Sequence, residues 1–251
     1  MVAGVVGYAA RSAPSADAST TNGLPADAER VGFVVRGRAH DVALLDATRP
    51  FRLELGNGPL MGKTPDVAAR DRAQAIVVRE LARYSPALLR ATKLRGIVFV
   101  HELMEGKKPI PSLPNVAGLL LLDVDAAERD LVRTVHHEIF HFFDLADDGA
   151  LSPDPAWEKL NAEGFTYGAG GRSLRGAWAA AAPEGLTGFV SAYATSAVEE
   201  DKAETFAFAV ARSSELSALA AKDPVLEKKV HELARRLDGV EPGTAQRFAI
   251  R

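Results

Sequence analysis

His137 and His141 are the residues of this chain best suited to chemistry. On a helix, two histidines four positions apart lie on one face, roughly 40° apart around the axis, so both imidazoles can reach one metal ion. Glu138 lies beside the first of them, where a carboxylate can polarise a metal-bound water rather than bind the metal. A catalytic site of this kind needs a third protein ligand and one position left for water. The chain has no Cys, so that ligand must be His, Asp or Glu. His40, His101, His136 and His231 have no supporting pattern. His136 points about 100° away from His137 and reads as a partly exposed helix histidine, while His101 ends a predicted strand. Glu200 and Glu204 share a helix face. Two like charges there cost stability unless a dication offsets them, and a solvated acidic helix start favoured by the helix dipole explains the pair equally well.

The elements that must position these residues alternate between β and α patterns. Short β-branched or apolar runs at 31–35, 42–45, 51–55, 96–100 and 116–123 predict strands, with Gly56-Asn57-Gly58-Pro59 as a turn. Helical spacing covers 64–90, with Thr64 as N-cap, Pro65 in the first position, a break at Ser85-Pro86 and a second short helix after it. The strongest helix spans about 126–145. Leu131, Val132, Val135, Ile139, Phe142 and Phe143 form its core side, leaving Asp130, Thr134, His137, His141 and Asp144 toward solvent or a cleft. Residues 161–188 read as a long loop, including the Gly-rich run 167–172, which lacks the Lys-Ser/Thr of a phosphate loop. Trp157 and Trp178 are expected to pack or anchor loops rather than touch a ligand. Helices at 198–211 and 224–237 close the chain, giving an α+β domain whose second half is mainly helical.

Composition narrows the function classes. Hydrophobic residues are 47% and charged residues 25% of 251, which are ordinary globular values. A net charge of −3 with no basic stripe disfavours nucleic-acid partners. No apolar run approaches the roughly 20 residues that span a bilayer. Residues 1–28 read as a disordered tail or the remnant of a signal segment, which leans toward a secreted or periplasmic protein over a cytoplasmic one, and 29–251 as one domain. Oligomeric state leaves no mark in the sequence.

His137 to Asp144, Tyr193 and the pattern Glu200-x-x-Ala203-Glu204 together resemble the bacterial zinc-binding metallopeptidases related to the anthrax lethal factor catalytic domain. The strands at 97–100 and 119–123 and the stretch from Trp157 to Gly168 are similar to that group as well, so the resemblance covers about 85–212. It implies a zincin-like fold, with a small sheet packed on the histidine helix, and one Zn2+ per chain bound by His137, His141 and Glu200. It also implies zinc-dependent hydrolysis of a peptide or protein substrate, with Glu138 as general base and Tyr193 donating a hydrogen bond to the developing oxyanion. Glu204 and Asp144 would then support the ligands from behind. Glu200 follows His141 by 59 positions, a long gap filled by the Gly/Ala-rich stretch. An extended peptide is expected to pair with the strand at 116–123. Two other readings fit the same residues: a non-catalytic zinc-binding protein, for which an intact Glu138 has no use, and a metal-dependent hydrolase of a non-peptide amide or ester.

Overall fold

A computed structural model describes residues 28–55, 58–114, 118–148, 151–174 and 180–250. Most of the expected tail, Gly56-Asn57, the start of the expected strand at 116, Gly149 and Trp178 lie outside the described residues. The described chain is mixed α and β. A short helix α1 (Ala28–Val31) leads into β1 (Phe33–Ala39), β2 (Val42–Ala47), β3 (Phe51–Leu55) and β4 (Gly58–Lys63). Helices α2 (Val67–Leu81) and α3 (Pro86–Thr92) follow, then β5 (Gly96–Glu105), β6 (Lys108–Pro109), β7 (Ser112–Pro114) and β8 (Leu119–Asp123). The rest is helical: α4 (Glu128–Asp148), α5 (Pro155–Glu158), α6 (Gly171–Leu174), a 3₁₀ turn (Tyr193–Ser196), α7 (Val198–Ala211), α8 (Ser213–Ala220), α9 (Pro224–Val240) and α10 (Thr244–Arg247). No helix among the described residues is long and apolar enough to cross a membrane.

β5 is the spine of the sheet. Its first half lies between β2 and β8, parallel to both, and its second half pairs antiparallel with β4 and β6. The apolar runs of β5 and β8 are continuous because both faces of the sheet are covered. Ile97, Phe99, Leu120 and Leu122 face the helices, while Val98, Val100, Leu119 and Leu121 face a second cluster with Phe33, Phe51 and Leu60. β7 pairs antiparallel with β8, so β8 has a partner on each side. This corrects the expectation that the 116–123 strand offers an edge: β7 lies outside it.

One helix start differs from the sequence reading. Asp66, not Thr64, caps α2, because its Oδ1 accepts the Ala69 N–H at 2.8 Å. Ser85-Pro86 breaks the helical run as expected and begins the second short helix, α3, with Ser85 Oγ accepting the Leu88 N–H at 3.0 Å. α4 is buried almost all round from Val135 to Asp144, packed among α2, α3, α7 and β7. Of the two expected surroundings of the histidine face, solvent or a cleft, the structure shows a face covered by neighbouring elements.

Candidate metal centre

α4 and α7 lie side by side, and that contact builds the site. His137 and His141, one helical turn apart on α4, turn their rings edge to face, with centroids 4.7 Å apart. Glu200, in the first turn of α7, meets them from the neighbouring helix. His137 Nε2 is 3.0 Å from His141 Nε2 and 3.0 Å from Glu200 Oε2, and His141 Nε2 is 3.4 Å from the same oxygen. Among the described residues these three form the group whose ligand atoms all lie within 4.8 Å of one another.

The donor set fits a zinc ion. Bonds of roughly 2.0–2.1 Å in a tetrahedron put neighbouring ligand atoms about 3.3 Å apart, close to the three separations found. The electrostatics agree. Burial alone would lower the His137 pKa, but the Glu200 and Glu204 carboxylates outweigh it and raise it to about 10. Burial likewise opposes ionisation of Glu200, yet the two histidines hold it well below the usual carboxylate range. The cluster demands positive charge between its rings, which a proton can supply only in part and a dication supplies in full.

Behind the ligands stands a buried support. Glu204 Oε1 faces His137 Nδ1 at 3.0 Å and accepts from Arg133 Nε at 3.2 Å. Its Oε2 accepts Ser191 Oγ at 2.6 Å and a second Arg133 nitrogen. With Nδ1–H donated to Glu204, His137 presents the Nε2 lone pair forward, the tautomer a metal needs. Asp144, also expected to support a ligand, pairs with Lys202 Nζ at 2.7 Å across the contact of α4 with α7.

Glu138 is buried beside His137, and Ser112 Oγ of β7 donates to its Oε1 at 2.5 Å. The other oxygen, Oε2, has no protein partner, as a carboxylate whose partner is a water or substrate atom would. Tyr193, on the 3₁₀ turn before α7, places its ring centroid 5.9 Å from that of His137. A Cβ built on Gly171 would stand 2.1 Å from Glu200 Oε1 and 2.5 Å from the Tyr193 hydroxyl, so these two oxygens are neighbours beneath that glycine. The structure thus brings His137, His141 and Glu200 together, with Glu204 behind His137 and the Tyr193 hydroxyl beside Glu200.

Sequence reasoning missed Arg133, Ser191, Ser112 and Gly171. Arg133, four residues before His137 on the same helix face, carried a usable signal. The other three reach the site through tertiary contacts that no local pattern announces. Two histidines were also misplaced. His136 is not a partly exposed residue: it is buried, with Nδ1 2.6 Å from Tyr84 Oη and Nε2 3.1 Å from Glu80 Oε2. His101 does not end its strand near the cleft; β5 runs on to Glu105, and His101 pairs with Asp125 at 2.8 Å.

No family model and no curated protein matches the chain. Among solved structures, the fold is similar to the crystal structure of a "putative zinc-binding metallo-peptidase" from Bacteroides caccae. The identity is 14% and the TM-score 0.49, over 72% of this chain and 76% of that one.

Proposed function

We propose that this chain is a zinc-dependent hydrolase that cleaves peptide bonds, with a zincin-like fold related to that of the lethal factor catalytic domain. The observation that carries the reading is the convergence of His137 Nε2, His141 Nε2 and Glu200 Oε2. His137, His141 and Glu200 would hold the zinc, and Glu204, Arg133 and Ser191 would hold His137. When bound there, zinc supplies the Lewis acidity that makes water a nucleophile near neutral pH. Glu138 takes the proton of the attacking water on Oε2, with Oε1 held by Ser112, and then delivers it to the leaving amine. The Tyr193 hydroxyl donates a hydrogen bond to the carbonyl oxygen as it gains charge, an effect worth about 3–4 kcal/mol for a well-placed donor. Among the described residues β7 pairs only with β8, and its other side is where an extended substrate would add its backbone to the sheet.

Zinc content and peptide hydrolysis, measured together, test the reading. The wild type is expected to bind about one zinc per chain, His137→Ala and His141→Ala none, and Glu200→Ala weakly. Glu138→Gln should keep the zinc and lose roughly 100- to 10,000-fold in kcat. If Glu138→Gln matches the wild type in rate, the residue is no base. If the zinc-loaded wild type shows no hydrolysis at all, the non-catalytic alternative wins.

A further inference from the structure

The metal ligands and their base are nearly closed off from solvent, although a hydrolytic centre must admit a polymer. The covering segment is identifiable. Residues 168–174 run over the site as a strap. Its first part is fastened to the helical half, where the Gly168 N–H donates to Thr195 O at 3.0 Å and the Gly170 N–H to Ser196 O at 2.9 Å, both on the turn that carries Tyr193. Its middle, Gly171, lies directly on Glu200 Oε1 and the Tyr193 hydroxyl, closer than any side chain would allow. Its far side crosses to the sheet, where Arg172 forms an ion pair with Glu105 at the end of β5. Seven residues beyond Glu105, Ser112 holds Glu138. The strap therefore bridges the two walls between which a substrate must lie: the turn with Tyr193 on one side, and the strands that reach Glu138 on the other.

Building on the hydrolytic reading, we infer that the strap roofs the centre and that the Arg172–Glu105 pair is its clasp, so that only an extended, unfolded peptide segment gains access. When the strap lifts at its Arg172 end while staying fastened to the turn that carries Tyr193, a thin chain can be threaded beneath it where a folded surface cannot. Arg172 is half exposed while the Glu105 side chain is largely buried, so the clasp opens by release of the arginine into solvent, where salt competes for it. It can open for loading without unfolding the domain.

Two measurements on the full chain test this. The first is the rate at which a chelator strips zinc. Arg172→Ala and Glu105→Gln should each strip about two- to fivefold faster than the wild type, the range a partly exposed ion pair supports. Raising salt to about 1 M should speed the wild type but not these variants, and the reversed pair Arg172→Glu/Glu105→Arg should restore slow release. Equal rates and equal salt responses overturn the clasp. The second is binding of a reduced, alkylated polypeptide and of its folded form to zinc-loaded Glu138→Gln. The unfolded form should bind and the folded form should not, with Arg172→Ala gaining affinity for the folded form. Equal binding of both forms by the parent overturns the strap as a filter. Selective binding of the unfolded form, with no cleavage by the wild type, sinks the hydrolytic reading and leaves the strap standing.

Discussion

His137 sits between two carboxylates whose roles differ by which ring nitrogen each faces. Glu200 meets Nε2 on the side of the other ligands, and Glu204 meets Nδ1 from behind. Glu204 is buried and anchored on both oxygens by Arg133 and Ser191, so it cannot swing forward to become a ligand itself. Its effect on the metal must pass through the imidazole, by fixing the tautomer and strengthening the donor. Glu204→Gln keeps the shape but removes the charge facing both His137 and Arg133, so zinc affinity should fall about 10- to 100-fold. Competition against a chromophoric chelator reads this directly, and unchanged affinity would show that Glu204 only fills space. The spacing of His137 and His141 made the meeting of their rings legible, because a helix turns a four-residue spacing into proximity. Asp144 shares their face, but its partner is set by Lys202 on another helix, which spacing cannot show.

At the scale of elements, legibility followed length and periodicity. α4, α7, α9 and the buried half of β5 carry patterns that the fold kept. The other half of β5 and all of β4, β6 and β7 went unread. β6 and β7 are two and three residues long and each contains Pro, leaving no alternation to detect. In β4 the run Gly58-Pro59-Leu60-Met61-Gly62 looks like a turn. Gly62 is there because a Cβ would stand 2.3 Å from Val100 and 2.8 Å from Phe51. His136 misled because a polar residue was taken as a mark of exposure, whereas Glu80 and Tyr84 of the α2–α3 hairpin satisfy it inside. That contact ties α2 to the helix bearing the metal ligands, and it should make stability depend on pH. Burial would raise the Glu80 pKa, but His136, Arg79 and Arg83 together bring it down to about 2. A carboxyl lowered on folding contributes stability above its unfolded value, near 4.5 here, and loses it as pH falls toward 2. Glu80→Gln should therefore cost about 1–3 kcal/mol near pH 7, and the gap to wild type should close progressively below about pH 4.5. Urea unfolding across that range checks it, and a gap independent of pH would show that the loss is one of packing.

At the scale of the whole molecule, the 58 residues between His141 and Glu200 pose the main question: what brings a distant carboxylate to the ring pair. Adjacent residues of α7 answer it. Lys202 Nζ reaches Asp144 of α4 and, at 3.0 Å, Asp154 at the start of α5, which Arg236 of α9 also grips through both oxygens. Asp201 Oδ2 accepts from Trp157 Nε1 at 2.8 Å, Tyr167 Oη at 2.6 Å and Lys229 Nζ of α9 at 2.7 Å. The Gly/Ala-rich stretch is thus pinned at Trp157, Tyr167 and, through Lys229 to the Gly188 carbonyl at 2.7 Å, near its end. In the sequence, Glu199 to Lys202 looks like a solvated helix start, because burial of its charges depends on partners 28 to 58 residues away. Asp201 and Lys229 are both fully buried, so removing one partner strands the other. Burial already pushes the Asp201 carboxyl up against the pull of Lys229 and the two hydroxyl and indole donors. Lys229→Met should cost about 3–5 kcal/mol in urea unfolding, and Asp201→Asn in that background should return part of the loss, since the buried charge is gone. A double variant no more stable than Lys229→Met alone would mean that α9 is held by its apolar face, and that the pair does not anchor the helix carrying Glu200.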